Sequence, residues 1–230
     1  MAIKIQSTTD IQVQGIKIVV YGESGVGKTV LCSTAPSPLI ISAEKGLLSL
    51  SGKDIPYIEI RNINDVGDAY NFITKSAEAK AFGTICIDSI SELTETCLVD
   101  IKRQLISESD SGKIDVRQAY GKVAESVGAM IRRFRDLTDH DVIFTSKLKR
   151  VEDTDGNPVK FEPYLPGKVL PFNLPYLVDE VFCMKINRAG ERILQTTADR
   201  KFVAKDRSGK LSPEEQPNLS TIFNKIRSKK

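Results

Sequence analysis

The chain has 230 residues, of which 40% are hydrophobic and 27% are charged, with a net charge of +3. This composition is typical of a globular protein, and the near balance of opposite charges argues against long disorder. The sequence has no apolar run near the ~18 residues that a membrane-spanning helix needs, and its N-terminus lacks the pattern of a secretory signal. We therefore expect a cytoplasmic protein without membrane contact.

The cysteine and histidine content excludes several kinds of site. The four cysteines are far apart and form no C-x-x-C pair, which argues against a zinc site or a disulfide framework. Because the chain has a single histidine, chemistry that requires two or more histidines is also excluded.

Short apolar runs alternate with helical patterns along the first two thirds of the chain. Runs rich in β-branched residues predict buried parallel strands at residues 16–21, 39–42, 57–60, 84–88 and 142–146. Apolar residues at helical spacing predict helices over residues 64–80, 89–106 and 116–137. This alternation predicts an α/β fold with a mainly parallel sheet between helices.

The last third of the chain has a different pattern. Asp155-Gly156-Asn157 lies between two extended segments and predicts a hairpin. A second, C-terminal hairpin is expected from strands at 180–187 and 192–197, and a short basic helix from 217–230. Residues 200–230 carry nine basic and three acidic side chains, a net of +6. We expect one domain over residues 1–230, with a core at about 15–210 and a basic tail at 211–230.

The strongest motif follows the first predicted strand. Residues 22–29 fit G-x-x-x-x-G-K-[ST] at every position, between a strand and a helix, as the phosphate-binding loop requires. Glycines let the backbone N–H groups surround a phosphate, the lysine reaches the β- and γ-phosphates, and the threonine ligates Mg²⁺. We assign nucleotide binding to Gly22, Glu23, Ser24, Gly25, Val26, Gly27, Lys28, Thr29 and Val30.

Two acidic residues follow other predicted strands. Asp88 ends the strand at 84–88, where a carboxylate beside the phosphate loop suits a magnesium partner. Glu44 comes just after the strand at 39–42 and is the candidate that orients the attacking water. We therefore predict that Lys28, Glu44 and Asp88 are catalytic, with Thr29 and Asp88 as the metal ligands.

These residues, in this order, resemble the RecA-like ATPases. In that family a strand ending like Ser42-Ala43-Glu44 carries the water-activating glutamate, and the strand ending Asp88-Ser89 is similar to its next motif. The segment 205–209, Lys-Asp-Arg-Ser-Gly, looks like the K-x-R-x-G pattern of replicative helicases of the DnaB type. The compact length and this ending look most similar to small phage-encoded, AAA-type ATP-binding proteins, the single-strand-annealing proteins of the Sak group.

The resemblance implies a RecA-like P-loop core, ATP and Mg²⁺ as cofactors, and self-association into a ring or filament. Lys205 and Arg207 would then reach the γ-phosphate on a neighbouring subunit. The resemblance also implies single-stranded DNA as partner, with a single-strand-binding protein as a further candidate, in the host cytoplasm if the gene is a phage gene. One departure is that the family's sensor glutamine aligns near Lys147, which makes this lysine a candidate for γ-phosphate sensing.

The segment after the strand at 142–146 is the candidate DNA-binding region. Its positive side chains are Lys147, Lys149, Arg150 and Lys160, and nearby acidic residues almost cancel their charge. Phe161 and Tyr164 could stack on bases, as aromatic side chains do in single-strand binders, or could simply pack.

Three functions remain open on the sequence alone. The leading one is an ATP-dependent, oligomeric, single-stranded DNA-binding ATPase of phage-type recombination or annealing. The alternatives are a nucleotide-gated regulator and a small-molecule phosphotransferase, both without DNA binding. Glu44 and the K-x-R pattern favour hydrolysis over transfer to a small molecule.

Overall fold

The computed structural model describes residues 14–109 and 112–228 of the chain. Its strands are β1 (Lys17–Gly22), β2 (Pro38–Ser42), β3 (Tyr57–Glu59), β4 (Thr84–Asp88), β5 (Asp141–Glu152), β6 (Pro158–Pro163), β7 (Glu180–Ile186), β8 (Arg192–Gln195), β9 (Lys205–Asp206) and β10 (Glu214–Glu215). Its helices are α1 (Lys28–Cys32), α2 (Ile63–Lys75), α3 (Ile90–Ser107), α4 (Val116–Arg135), α5 (Val169–Leu177) and α6 (Leu219–Arg227), with 3-10 helices at Leu47–Leu50 and Glu78–Ala81.

The strands form one sheet with the main order β10-β8-β7-β1-β5-β4-β2-β3. The six strands from β7 to β3 are parallel, while β8 and β10 extend the sheet in antiparallel fashion. The predicted α/β fold, its mainly parallel sheet and its C-terminal hairpin, formed by β7 and β8, are therefore confirmed. Because β1 lies in the middle of the sheet, the loop that follows it opens at the centre of the carboxyl edge.

Helices cover both faces of the sheet. Side chains on β1 alternate between the two faces, so Val19 and Tyr21 join the core under α2–α5, and Ile18 and Val20 join the core under α1 and α6. Each core is apolar, and the central strands β1 and β4 are buried along their whole length, which is the burial that continuous β-branched runs predict.

Helices α2, α3 and α4 begin at residues whose side chains accept hydrogen bonds from free backbone N–H groups. Asn62 and Asp65 form a capping box at α2, Ser89 caps α3, and Asp115 caps α4. The caps of α2 and α3 fix where these two helices leave the sheet. Ser89 therefore places the start of α3 directly after Asp88 at the end of β4.

Three features differ from the expectation. The helix expected over 64–80 ends at Lys75, because Ser76 has an extended backbone, and a separate 3-10 helix follows. Strand β5 runs on to Glu152 because its second half pairs with β6 in the predicted Asp-Gly hairpin. Helix α5 was not expected from the sequence, since two prolines, Pro171 and Pro175, interrupt its pattern.

The segment expected to be a basic tail contains a helix that packs on the sheet. In α6, Leu219, Ile222, Phe223 and Ile226 are buried against the β1 face that also contacts α1. Its basic residues also have partners, since Lys225 pairs with Glu215 and Arg227 with Asp141. Residues 219–227 thus belong to the folded core. Within the described ranges, no helix has the length and apolarity needed to span a bilayer.

Candidate nucleotide site

The phosphate-loop sequence joins β1 to α1 at the carboxyl edge of the sheet. Strand β1 is held between β5 and β7, with Gly22 opposite Lys147 on one side and Met184 on the other. Gly25 and Gly27 have φ angles of 76° and 108°, which a side chain would make costly. Glycines at these two positions let the loop turn sharply into α1.

The loop residues divide between two sides of the loop. Six of them line a cleft of about 780 Å³. These six are Ser24, Gly25, Gly27, Lys28, Thr29 and Val30. Glu23 and Val26 line a second cleft beside the β5–β6 hairpin, which Ser24 and Gly25 also border, and Glu23 lies there 3.7 Å from the guanidinium of Arg150.

Lys28 is directed back onto the loop. Its ammonium donates hydrogen bonds of 2.9 Å to the carbonyls of Gly22 and Glu23. Burial lowers the pKa of Lys28, and the carboxylates of Glu44 and Asp88 partly oppose that shift. A buried ammonium close to phosphate-binding N–H groups can exchange these carbonyls for phosphate oxygens.

Asp88 accepts hydrogen bonds from two threonines on neighbouring elements. The hydroxyl of Thr29 on α1 donates to one carboxylate oxygen at 2.7 Å, and that of Thr145 on β5 donates to the other at 2.5 Å. Asp88 is only 2% exposed. The predicted pair of magnesium ligands, Thr29 and Asp88, is therefore brought into direct contact, whereas the contact with Thr145 had not been expected.

Glu44 lies beside Asp88 because β2 and β4 are neighbours. Ser42 is opposite Asp88 in the sheet, and the N–H groups of Ala43 and Glu44 donate to the Asp88 carbonyl at 2.8 and 3.4 Å. The hydroxyl of Ser89 donates to the Glu44 carboxylate. Glu44 lines the same cleft as Lys28 and Thr29, and Asp88 reaches this group through its hydrogen bond from Thr29.

The opposite wall of the cleft includes a cation that the sequence did not single out. Arg192, at the start of β8, lies over the loop: a Cβ added at Gly27 would be 3.7 Å from its Cδ and Nε and 3.3 Å from Cε of Met184. Among residues 14–109 and 112–228, the Arg192 guanidinium has no hydrogen bond or ion pair. It has no motif around it, and only the pairing of β7 with β1 brings its hairpin to the loop.

Lys147 does not point into the cleft. Its ammonium contacts the carboxylates of Glu92 and Glu95 on α3, at 2.9 and 2.6 Å. Partial burial acts to lower the pKa of Lys147, but the hydrogen bonds that its ammonium donates to Glu95 and Glu92 outweigh this effect and raise that pKa. The suggested role of Lys147 in γ-phosphate sensing finds no geometric support, because its charge is held by α3.

Lys205 and Arg207 lie at the other edge of the sheet from the phosphate loop. Strand β9 pairs with the start of β7, at Glu180 and Val181, whereas the loop meets β7 at Met184. The Lys205 ammonium donates to the carbonyls of Pro175 and Val178 at 2.8 and 2.7 Å. Arg207 forms an ion pair with Asp179 at 2.9 Å. Neither side chain contacts the cleft of its own chain.

The remaining DNA candidates lie on the β5–β6 hairpin, and each has an acidic partner. Glu162 contacts Lys149 at 2.9 Å and Lys160 at 3.2 Å, while Arg150 is near Glu23. The ring of Phe161 stacks on Phe202, with centroids 4.7 Å apart. Phe161 therefore packs within the fold and is not a free stacking platform.

Comparison with known proteins identifies the kind of domain. A family model described as "AAA domain" matches residues 14–208. A search of curated proteins found no match.

Two solved structures are among those similar to the chain. A KaiC-like protein from the hyperthermophilic archaeon Pyrococcus horikoshii OT3 is 13% identical, with a TM-score of 0.39, over 79% of this chain and 76% of that one. A prototypical ATPase from the type III secretion system of pathogenic bacteria is 17% identical, with a TM-score of 0.47. That match covers 75% of this chain and only 51% of the secretion ATPase, so the chain spans about half of its length.

Proposed function

The chain belongs to the AAA domain family of P-loop ATPases, and from that premise we propose that it is an oligomeric, Mg²⁺-dependent ATP hydrolase that acts on single-stranded DNA. One observation carries the hydrolase assignment: Lys28, Thr29 and Glu44 line one cleft, and Asp88 contacts Thr29 from the neighbouring β4. A cation, a hydroxyl and two carboxylates are the side chains that phosphoryl transfer to water needs.

The side chains of Thr29 and Asp88 fit magnesium. Mg²⁺ prefers oxygen ligands and keeps several waters, so it is bound by few protein groups together with phosphate oxygens. Within the described residues no group of three or more His, Cys, Asp or Glu side chains could hold a metal, and a magnesium site of this kind does not need one. When bound, the ion would neutralise the charge that builds up on the β- and γ-phosphates.

The chain's own residues account for the remaining steps. Lys28 would exchange its contacts with the Gly22 and Glu23 carbonyls for phosphate oxygens. Glu44, held by the Ser89 hydroxyl, would orient a water and accept its proton. The water oxygen bonds to the γ-phosphorus, the bond from phosphorus to the bridging oxygen breaks, and ADP and inorganic phosphate form.

We propose single-stranded DNA as partner and phage-type recombination or annealing of the Sak kind as the process. Support comes from the lysines and the arginine of the β5–β6 hairpin, which continues the strand that carries Thr145 at the nucleotide site. The K-x-R-x-G segment supports self-association into a ring or filament, because Lys205 and Arg207 lie away from their own phosphate loop. A cation supplied in trans contacts the phosphates bound by a neighbouring subunit, not those in its own loop.

ATP hydrolysis, measured with and without single-stranded DNA at two salt concentrations, tests this proposal. We expect Mg²⁺-dependent turnover that DNA stimulates, with a stimulation that weakens as salt rises, because phosphate contacts release counterions. A rate of ATP hydrolysis that is the same with and without DNA would contradict the DNA part of the proposal and favour a nucleotide-gated regulator. Transfer of the γ-phosphate to a small molecule in place of water would contradict the hydrolase assignment.

A further inference from the structure

One face of α5 exposes two aromatic rings. The helix buries Leu170 and Leu174 against the core, while Phe172 and Tyr176 are 69% and 71% exposed. The centroids of these two rings are 5.8 Å apart and their planes are tilted by 45°. Large exposed side chains side by side on one helix face suggest a binding surface, since scattered single residues are the normal case.

These rings form one wall of a groove of about 560 Å³. The other wall is the face of the β5–β6 hairpin that carries Lys149, Lys160 and Glu162. We call this surface the α5–hairpin groove; its charged and aromatic lining residues are Lys149, Lys160, Glu162, Lys168, Phe172 and Tyr176, and the rest of its lining is mostly valine and proline.

The α5–hairpin groove is positively charged. Its three lysines face a single carboxylate, Glu162, which gives a net charge of +2. Although the partial burial of Glu162 acts to raise its pKa, the hydrogen bonds from Lys149 and Lys160 keep that pKa below its ordinary value. The carboxylate is thus ionised and shared by two lysines, and Lys168 has no ion pair within the described part of the chain. An anionic ligand would give these lysines a further negatively charged partner.

We infer that the α5–hairpin groove binds single-stranded nucleic acid, with bases stacked on Phe172 and Tyr176 and phosphates held by Lys149, Lys160 and Lys168. This inference rests on the proposed function and adds the location of its partner. Exposed rings beside lysines form the combination that binds unpaired strands, because every base has a stacking face and every nucleotide a negative charge. A purely apolar partner would leave the net positive charge of the groove unmatched.

The groove is also connected to the nucleotide site through a single strand. Thr145 on β5 donates to Asp88, and four residues later the same strand contributes Lys149 to the groove. Between them, Lys147 is tied to Glu92 and Glu95 on α3, whose first residue follows Ser89. A ligand that moves this part of β5 would therefore act on a residue that contacts Asp88.

A fluorescence experiment tests the stacking directly, because the chain has no tryptophan. Phe172→Trp introduces one fluorophore in the groove, and Tyr57→Trp introduces one at an exposed position, 59% accessible, on the edge strand β3. With oligothymidylate and Mg²⁺·ATP, we expect quenching of the first variant and none of the second. The inference would be overturned if the tryptophan emission of both variants changed equally. It would also be overturned if the emission of Phe172→Trp did not change although the protein bound the DNA.

Affinity measurements provide an independent test that does not depend on the fluorophore. By fluorescence anisotropy with labelled oligothymidylate, we expect Phe172→Ala/Tyr176→Ala to raise the Kd about tenfold or more, since each stacked base contributes about 1–3 kcal/mol. Lys168→Glu should weaken binding and reduce its salt dependence. The matched controls, Tyr57→Ala and Lys80→Glu, should bind as the wild type does.

The possible outcomes distinguish a failure of the groove inference from a failure of the proposed function. If the wild type binds the oligonucleotide and the groove variants bind equally well, the groove inference is wrong and the DNA proposal stands. If the wild type hydrolyses ATP but binds no oligonucleotide, both the groove inference and the DNA proposal fail. If the aromatic variants change the mass measured by light scattering and leave DNA affinity unchanged, the α5 face is a subunit contact and the inference is overturned.

Discussion

Arg192 borders the phosphate loop although it belongs to no sequence motif. It lies beside Gly27 on the β8 side of the phosphate loop, whereas Asp88 and Glu44 lie on the β4 and β2 side. A triphosphate held by the loop would direct its γ-phosphate towards the two carboxylates. Its α-phosphate and nucleoside would then lie towards Arg192.

We therefore predict that Arg192 contributes to nucleotide affinity rather than to chemistry. Arg192→Ala should raise the Kd for ATP and for ADP alike by about tenfold, the usual effect of losing a hydrogen bond to a charged group. The turnover number at saturating ATP should change little. Arg188→Ala, at an exposed position in the same hairpin turn, is the matched control. A fall in turnover with unchanged ADP affinity would instead mark Arg192 as a γ-phosphate cation.

At the scale of single residues, the sequence could predict the site residues that belong to a motif or lie at the end of a strand. Gly22–Thr29 form a motif, and Glu44 and Asp88 follow parallel strands whose ends meet at one edge. The contacts of Thr145, Ser89 and Arg192 could not be predicted, because they depend on which strands are neighbours. No local sequence pattern predicts the strand order β1-β5-β4.

At the scale of elements, Glu180 on β7 has an unusual environment. Its carboxyl is 1% exposed and accepts hydrogen bonds from the N–H groups of Arg207 and Ser208 at 3.1 and 3.2 Å. Burial, with the nearby charge of Asp206, raises the pKa of Glu180 to about 8. The pKa of Asp206 is lowered despite its own partial burial, because Ser208, backbone N–H groups and Glu180 donate to it. A protonated Glu180 thus links β7 to β9.

This link predicts how stability depends on pH. Because the pKa is raised in the folded chain, protonated Glu180 stabilises the fold fully below about pH 4.5, and this contribution is lost as pH rises through about 8. The glutamine in Glu180→Gln should still donate a hydrogen bond to Asp206. Because glutamine does not titrate, its contribution to stability should not depend on pH. We expect the Tm of the wild type, relative to that of Glu180→Gln, to fall between about pH 5 and 8. The assignment would be contradicted if the Tm of the wild type and that of Glu180→Gln changed with pH in parallel. It would also be contradicted if Glu214→Gln, at an exposed position, differed from the wild type in the same way as Glu180→Gln.

The elements could be predicted where local signals agree and not where they conflict. Asp155-Gly156 correctly predicted a hairpin, and β-branched runs correctly predicted five parallel strands. Helix α5 has prolines at 171 and 175, which are typical of loops, and it forms because Leu170 and Leu174 are buried. Helix α6 was expected from the sequence, but its packing on the sheet through four buried apolar residues was not, because its basic residues are typical of a free tail.

At the scale of the whole molecule, the positions of Lys205 and Arg207 bear on assembly. Both lie at the edge of the sheet opposite to their own phosphate loop. If Arg207 completes a neighbour's site, Arg207→Ala and Glu44→Gln remove different halves of one composite site. In a head-to-tail ring, each interface joins the cleft of one subunit to Arg207 of the next.

We predict that the two inactive variants complement each other when mixed. In an equal, random mixture about a quarter of the interfaces would combine an intact Glu44 with an intact neighbouring Arg207. ATP turnover should therefore recover to about a quarter of the wild-type value, measured after subunit exchange. A mixture as inactive as its separate components would show that Arg207 does not act across an interface, and its ion pair with Asp179 would then be its role.

The most direct test of the central claim is ATP turnover by the wild type and by Glu44→Gln, with and without Mg²⁺, together with ATP binding by both. We predict Mg²⁺-dependent release of phosphate by the wild type, and a loss of about 100-fold or more in Glu44→Gln with ATP affinity retained, because only the step that activates water is removed. Equal turnover by the two proteins, or turnover that does not require Mg²⁺, would contradict the assignment of Glu44, Thr29 and Asp88 to one hydrolytic centre.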